Sequence, residues 1–373
     1  MKKNILFYLS RYPGFGGIEQ CTNILCNELI NRNYNLYIVS QLQENEKELI
    51  QLLDKKIEFK SLKEIKTLRI YIKEKKIDTI VYQDSFSNDF DLIEQETRGI
   101  KIHKIVVYHN TPDAFLQNLN YTINGKWTIK NRIRKFKTRI DFKYRSIKII
   151  KWCDKLILLS EYYKPILKSI LGSKYQESKI RIINNPLSID LPIKPLQKTK
   201  NICLFIGRLQ QQKGIQYLMN IWKEIENNKP DLEWQLIIVG DGPEKKYIED
   251  FIKKNSLNKI QLEGFQTNVS NYYKEAQLFL MTSIFEGWPL TLFESMAYGC
   301  IPIVFNSFAA AKEIIENRQN GILIETSNQS EYIKQLQFLM EHEEIRKHMS
   351  VKAYQKASLF TINHLINSWT EIL

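Results

Sequence analysis

Two carboxylates, Glu286 and Glu294, bracket the segment EGWPLTLFE with seven residues between them. The intervening Gly287-Trp288-Pro289 has the makings of a helix start. Proline suits the first helical turn, where its missing N–H costs nothing. The amides of Leu290, Thr291 and Leu292 would then lie unpaired at the positive end of a helix dipole, which favours an anion. Carboxylates beside a phosphate would repel it, so Glu286 and Glu294 are expected to face hydroxyls of the same ligand. A sugar joined to a diphosphate offers both kinds of group, and the reading is a nucleotide-sugar pocket. Two cations upstream fit it. In LFIGRLQQQKGIQYL a strand ends at Gly207, Arg208 follows at once, and Lys213-Gly214 opens the next helix. Arg208 can clamp a phosphate through paired donors, and Lys213 adds a mobile point charge. Each alone could be a solvated surface cation. The acidic segment in the same half of the chain favours the phosphate role.

The elements that must position these residues alternate along the whole chain. Apolar, β-branched runs predict strands at 4–9, 36–39, 78–82, 104–108 and 155–159 in the first half. A helix over 18–30 places Ile18, Cys21, Leu25 and Leu29 on one face. After a proline-containing stretch over 188–200 the pattern restarts, with strands at 202–206, 235–239, 260–263, 278–281, 301–305 and 322–324. Strand–helix alternation implies parallel sheets with crossover helices. The expectation is an α/β protein of two doubly wound, Rossmann-like domains, 1–190 and 191–358, facing each other across a cleft. A terminal helix within 359–373, carrying Leu365, Ile366 and Trp369, is expected to cross back to the first domain.

Composition bounds the rest. The 373 residues with 43% apolar content can fill two cores. A balance of 54 basic against 41 acidic residues, +13, favours a phosphate-rich ligand or surface. The five cysteines, Cys21, Cys26, Cys153, Cys203 and Cys300, form no CxxC pair, as a reducing cytosol permits. The apolar run of MKKNILFYLSR stops at Arg11 and reads as a first strand rather than a leader. No stretch approaches the roughly 20 residues that span a bilayer. The expected location is cytoplasmic.

GRLQQQKG, VGDGPE (239–244), LEGF (262–265) and EGWPLTLFESMAYGCIPI together resemble the retaining glycosyltransferases of family 4, of the GT-B fold. The first half adds PGFGGIEQ (13–20), VVYHN (106–110), LLSEYYK (158–164) and INNPLSID (183–190). The resemblance spans nearly the whole chain and is most specific over 203–325. It implies that Arg208 and Lys213 neutralise a donor diphosphate, that Glu294 takes ribose hydroxyls, and that Glu286 faces the transferred sugar. Backbone from Gly287 through Leu290 and Thr291 would wrap sugar and phosphate, and backbone near Phe265 would hold the base. Gly16 and Gly17 would let a first-domain loop approach the diphosphate. His109 resembles the histidine near the reacting carbon, so His109 and Glu286 are the catalytic candidates. Without the resemblance, His109 reads as a hydrogen-bonded histidine at a strand end. Asn185-Pro186 and Ala309 to Ala311 depart from the family's usual Asn-Gly and glycine-rich turns.

Two further signals need weighing. Asp89-Phe90-Asp91 is a DxD, the spacing by which another glycosyltransferase fold holds a divalent metal, but it sits at an apparent helix start, where acids serve as caps. The five histidines lack recognised metal spacings. No metal and no cofactor are expected. Residues 126–155 hold twelve Lys/Arg against two Asp, with Trp127, Phe136, Phe142, Tyr144 and Trp152 interleaved. A basic, aromatic helix suits an anionic membrane surface, with Arg132, Arg134, Lys135 and Lys137 as contact candidates. The alternative is a solvated helix whose apolar positions pack on the core, and no recognition motif supports nucleic acid.

The function read from these residues is a metal-independent, retaining transferase that moves a sugar from a nucleoside-diphosphate sugar, of UDP type, to a hydroxyl of a lipid-linked or surface-polysaccharide acceptor. It would lie peripherally at the inner face of the cell membrane. The alternatives are a nucleotide-sugar epimerase, a phosphorylase on a related fold, or a non-catalytic partner that keeps the fold.

Overall fold

The computed structural model describes every residue except 1, 15, 43–53, 84–86, 88, 115, 118, 120–127, 197, 230 and 232. The chain divides into two compact units, Met1–Ser188 together with Ile362–Leu373, and Ile189–Thr361. Each is built on one parallel sheet.

The first sheet contains β1 (Asn4–Arg11), β2 (Asn35–Leu42), β3 (Glu58–Ser61), β4 (Thr79–Tyr82), β5 (His103–Tyr108), β6 (Lys155–Leu158) and β7 (Ile180–Ile182). Their spatial order is β3-β2-β1-β4-β5-β6-β7. The central strands are buried on both faces, as continuous apolar runs such as ILFYL require. The crossovers include α1 (Gly17–Asn31), α2 (Leu68–Glu74), α3 (Phe90–Thr97), α4 (Ile129–Trp152) and α5 (Lys164–Leu171). In α1 the buried face is Cys21, Leu25, Cys26 and Leu29.

The second sheet contains β8 (Ile202–Ile206), β9 (Gln235–Val239), β10 (Ile260–Gly264), β11 (Leu278–Met281), β12 (Ile301–Phe305) and β13 (Ile322–Ile324). Its order is β10-β9-β8-β11-β12-β13. Helices α6 (Ile215–Asn228), α7 (Lys245–Asn255), α8 (Ser270–Glu275), α9 (Leu290–Ala297), α10 (Ala311–Ile314), α11 (Gln329–Glu341) and α12 (Glu343–Ser358) accompany it. In α6, Ile215, Leu218, Met219, Trp222 and Ile225 follow the helical period and enter the core.

In both sheets the order reverses beside the first strand, between β1 and β4 and between β8 and β11. Ligands in open parallel sheets bind at the carboxyl ends of the strands at such reversals. The final helix, α13 (Ile362–Thr370), belongs to the first unit and packs on α1. Lys3 Nζ and Thr79 Oγ1 both donate to the Leu373 carbonyl, at 3.1 and 3.2 Å.

Two strands escape the sequence pattern. β3 (EFKS) and β7 (IRI) are short, carry charge, and lie at sheet edges where only one neighbour sets the backbone. The five cysteines are free and buried. No helix among the described residues is long and apolar enough to cross a membrane.

Candidate donor site in the second unit

The turn after β8 and the turn after β11 are stitched together. Ile284 N–H donates to the Gln212 carbonyl at 2.8 Å, Gln212 Nε2 to the Phe285 carbonyl at 3.0 Å, and Thr282 Oγ1 to the Lys213 carbonyl at 3.0 Å. Gly214 makes this approach possible. It sits in the left-handed region (φ +64), and a Cβ there would run into the Thr282 carbonyl oxygen.

Three of the candidate side chains meet on this stitched pair of turns or beside it. Lys213 Nζ bonds Glu286 Oε1 at 2.7 Å, and both side chains are mostly buried. Lys213 and Glu286 were expected to serve different parts of one ligand; here each serves the other. Arg208 follows β8 and is exposed. Its guanidinium has no ion-pair partner among the described residues. One cation paired with a carboxylate, Lys213, and one cation without an ion-pair partner among the described residues, Arg208, therefore follow β8 at the sheet reversal.

Glu294 lies on α9, buried, and accepts a 2.6 Å hydrogen bond from Tyr273 Oη. Burial and the neighbouring carboxylate push the Tyr273 phenol well up, so it stays protonated and acts as the donor. Tyr273 also stacks on Tyr298, with ring centroids 5.9 Å apart. Nothing in the spacing of the sequence marks Tyr273 as the group that orients Glu294.

The helix start differs from expectation in two respects. Pro289 caps α9 rather than forming its first residue, and Leu292 N–H donates to the Pro289 carbonyl at 3.2 Å. The tight turn removes Leu292 from the expected set of open amides. Leu290 and Thr291 are half-buried at the helix start, while Gly287 is buried. Phe265, 54% exposed, follows β10.

In the first unit, Gly16 caps α1 with an ordinary φ of −73°. The room left by its missing Cβ is taken by the Glu19 carboxylate. Gly17 begins the helix. His109 follows β5, and its Nε2 meets Gln83 Oε1 at 2.6 Å, while Nδ1 is buried without a hydrogen-bond partner. With the Gln83 amide oxygen placed toward it, the Nε2–H tautomer is the one that can donate this hydrogen bond. Burial lowers the His109 pKa to about 3, so the ring is neutral near physiological pH and is no proton donor there.

The DxD does not gather into a metal site. Asp89 is buried and accepts from the Tyr8 hydroxyl at 3.4 Å, whereas Asp91 is exposed and bonded to Lys148 Nζ at 2.6 Å. The described residues contain no cluster of three metal-ligating side chains. On α4, Arg132, Arg134 and Lys137 are exposed, but Lys135 is half-buried on the packed side of the helix, which removes it from an outward-facing set. Trp127 lies outside the described residues.

Two Rossmann-like parallel sheets are the elements of the GT-B architecture, and the comparisons agree. Residues 189–356 match the family model described as Glycosyl transferases group 1. An uncharacterized glycosyltransferase of Haemophilus influenzae is 28% identical over 388 residues, covering 100% of each chain. A Campylobacter jejuni alpha-1,4-N-acetyl-D-galactosaminyltransferase, named for a saccharide on PP-undecaprenol, is 24% identical over 251 residues, 66% of this chain and 64% of that one. Among solved structures, Anabaena HepE in complex with UDP and glucose superposes with a TM-score of 0.76 at 15% identity, covering 99% of this chain and 98% of that one. The fold is GT-B, and the chain is similar to glycosyltransferases in each comparison. The group 1 match covers nearly all of the second unit.

Proposed function

We propose that this enzyme transfers a sugar from a UDP-sugar to a hydroxyl of a lipid-linked saccharide in surface-polysaccharide assembly, with retention at the anomeric carbon and without a metal. The observation that carries the reading is the open Arg208 beside the Lys213–Glu286 pair, with Glu294 held by Tyr273 on the following helix. A donor diphosphate would take Arg208 and draw on Lys213. Glu286 would then accept sugar hydroxyls, and Glu294 the ribose hydroxyls. Catalysis would rest on stabilising the leaving diphosphate and on positioning, with no protein nucleophile. A neutral His109 fits a hydrogen-bonding role and not acid catalysis.

The lipid-linked acceptor rests on the name of the Campylobacter relative and on the basic helix α4 of this chain. Such an acceptor cannot leave the bilayer, so the enzyme would work peripherally at the inner face of the cell membrane.

Screening UDP-, GDP- and dTDP-sugars for thermal stabilisation tests the donor, because a ligand that binds only the native state raises its melting point. UDP-sugars are expected to stabilise most. Conversion of donor without acceptor would indicate an epimerase, and dependence on inorganic phosphate a phosphorylase. Failure of every nucleoside diphosphate to bind would leave a non-catalytic relative of the fold.

A further inference from the structure

The long helix α4 keeps one face exposed among the described residues. Its opposite face is packed: Phe142, Ser146, Ile149 and Ile150 are buried. Trp152 sets its ring edge-on to Phe90 with centroids 5.6 Å apart, and its indole N–H donates to Thr97 Oγ1 at 3.0 Å. Two of the interleaved aromatics, Phe142 and Trp152, are thus core residues. Four other large apolar side chains are turned to solvent: Ile133 is 63% exposed, Phe136 67%, Ile140 50% and Tyr144 66%. Their spacing of three, four and four residues puts them in one stripe. At 3.6 residues per turn that stripe is centred on the side away from Phe142 and Ser146. Lys137 lies within it, and Arg132, Arg134, Arg139 and Lys143 flank it, all exposed. Asp141 is the one acid in a helix that carries ten Lys/Arg.

A solvated helix places polar residues where this one places isoleucine, phenylalanine and tyrosine. A nucleic acid would use the cations and leave the stripe unanswered. A second copy of the same helix would bring ten more cations against these, so charge argues against a homotypic contact. An anionic bilayer answers both features at once, with headgroup phosphates for the cations and the acyl boundary for the stripe.

The geometry points to α4 as an in-plane membrane helix: Ile133, Phe136, Ile140 and Tyr144 enter the headgroup–acyl boundary of an anionic bilayer, and Arg132, Arg134, Lys137, Arg139 and Lys143 bind its phosphates. This deepens the lipid-linked acceptor reading and rests on it. Stripe and cations make separable contributions, because salt screens the second and leaves the first.

The test uses the full-length protein and vesicles of phosphatidylcholine with phosphatidylglycerol. A Phe136→Trp variant is expected to shift its emission to the blue on vesicles and to be quenched by lipids brominated close to the headgroup. The combined Ile133→Ser, Phe136→Ser, Ile140→Ser and Tyr144→Ser variant should bind on the order of a hundredfold more weakly, and what binding remains should be released by salt. Reversing Arg132, Arg134 and Lys137 to Glu should abolish the salt-sensitive part. UDP binding should be the same in all variants. Its absence in the wild type would sink the donor assignment and leave the membrane result standing. Unchanged Phe136→Trp emission with anionic vesicles at low salt would overturn the inference, as would vesicle binding undiminished in the serine variant. A dimer in sedimentation that Phe136→Ser splits would reassign the stripe to self-association and overturn it too.

Discussion

The Lys213–Glu286 pair yields the sharpest prediction, because free nucleotide and intact donor should respond to its loss with opposite signs. The two groups are 2.7 Å apart, with side-chain exposures of 17% and 8%. At that separation and an effective dielectric near 20, their attraction is about 6 kcal/mol, much of it offset by desolvation. Glu286→Gln keeps volume and a hydrogen-bond acceptor for Lys213 but removes the charge. Free UDP would then meet an undivided Lys213 charge and no opposing carboxylate. It should bind tighter by about 1 kcal/mol, roughly fivefold. The intact UDP-sugar gains the same amount but loses charge-assisted hydrogen bonds from Glu286 to its sugar hydroxyls, which are worth about 1.5–3 kcal/mol. Its net affinity should fall. Titration calorimetry of both ligands at one ionic strength reads the two signs directly. If Glu286→Gln weakens both ligands equally, or tightens both, the division between phosphate and sugar is wrong.

Arg208→Ala should weaken UDP by about 1.5–3 kcal/mol in calorimetry, since it removes donors to a charged group; unchanged affinity would reject the phosphate assignment. Activity should persist in excess chelator, and Asp91→Ala should leave turnover intact, because Asp91 serves Lys148; loss restored by manganese would return the DxD to consideration. The His109 pKa is lowered from 6.5 to about 3, so the unfolded chain binds the extra proton first and stability falls as pH drops below about 6.5. Denaturant melts should show the wild type losing on the order of 1–2 kcal/mol more than His109→Gln between pH 6.5 and pH 5; equal losses would show that His109 is not held neutral by burial.

Much of the second sheet was readable because its strands are uninterrupted apolar runs buried on both faces. The runs at 202–206, 235–239, 278–281, 301–305 and 322–324 coincide with β8, β9, β11, β12 and β13. β3 and β7 were not readable, since three or four residues with charges among them have no period to detect. The side-chain partnerships were invisible for a different reason. Lys213 and Glu286 are 73 positions apart, Gln83 and His109 are 26 apart, and Tyr273 and Glu294 are 21 apart. Sequence shows which residue types are available. Which of them share a hydrogen bond depends on strand order, and the order within a parallel sheet is not written in any local pattern.

Helix α4 sits between these cases, and its lesson is about how charge and period combine. Counting aromatics over 126–155 mixes Phe142 and Trp152, which pack on the core, with Phe136 and Tyr144, which do not. Placing the same residues on a helical repeat sets Phe142 roughly opposite Phe136 and Tyr144, leaves Trp152 between the two faces, and adds Ile133 and Ile140 to the outer one. A globular helix needs one apolar face, so a second one signals a second partner. The density of Lys and Arg around the outer face is what makes an anionic bilayer the partner proposed for it. The alternative, a solvated helix whose apolar positions pack inward, accounts for Phe142 and Trp152 and leaves Ile133, Phe136, Ile140 and Tyr144 exposed. The discriminating signal was therefore in the sequence, but it lay in the phase of the apolar residues and not in their number.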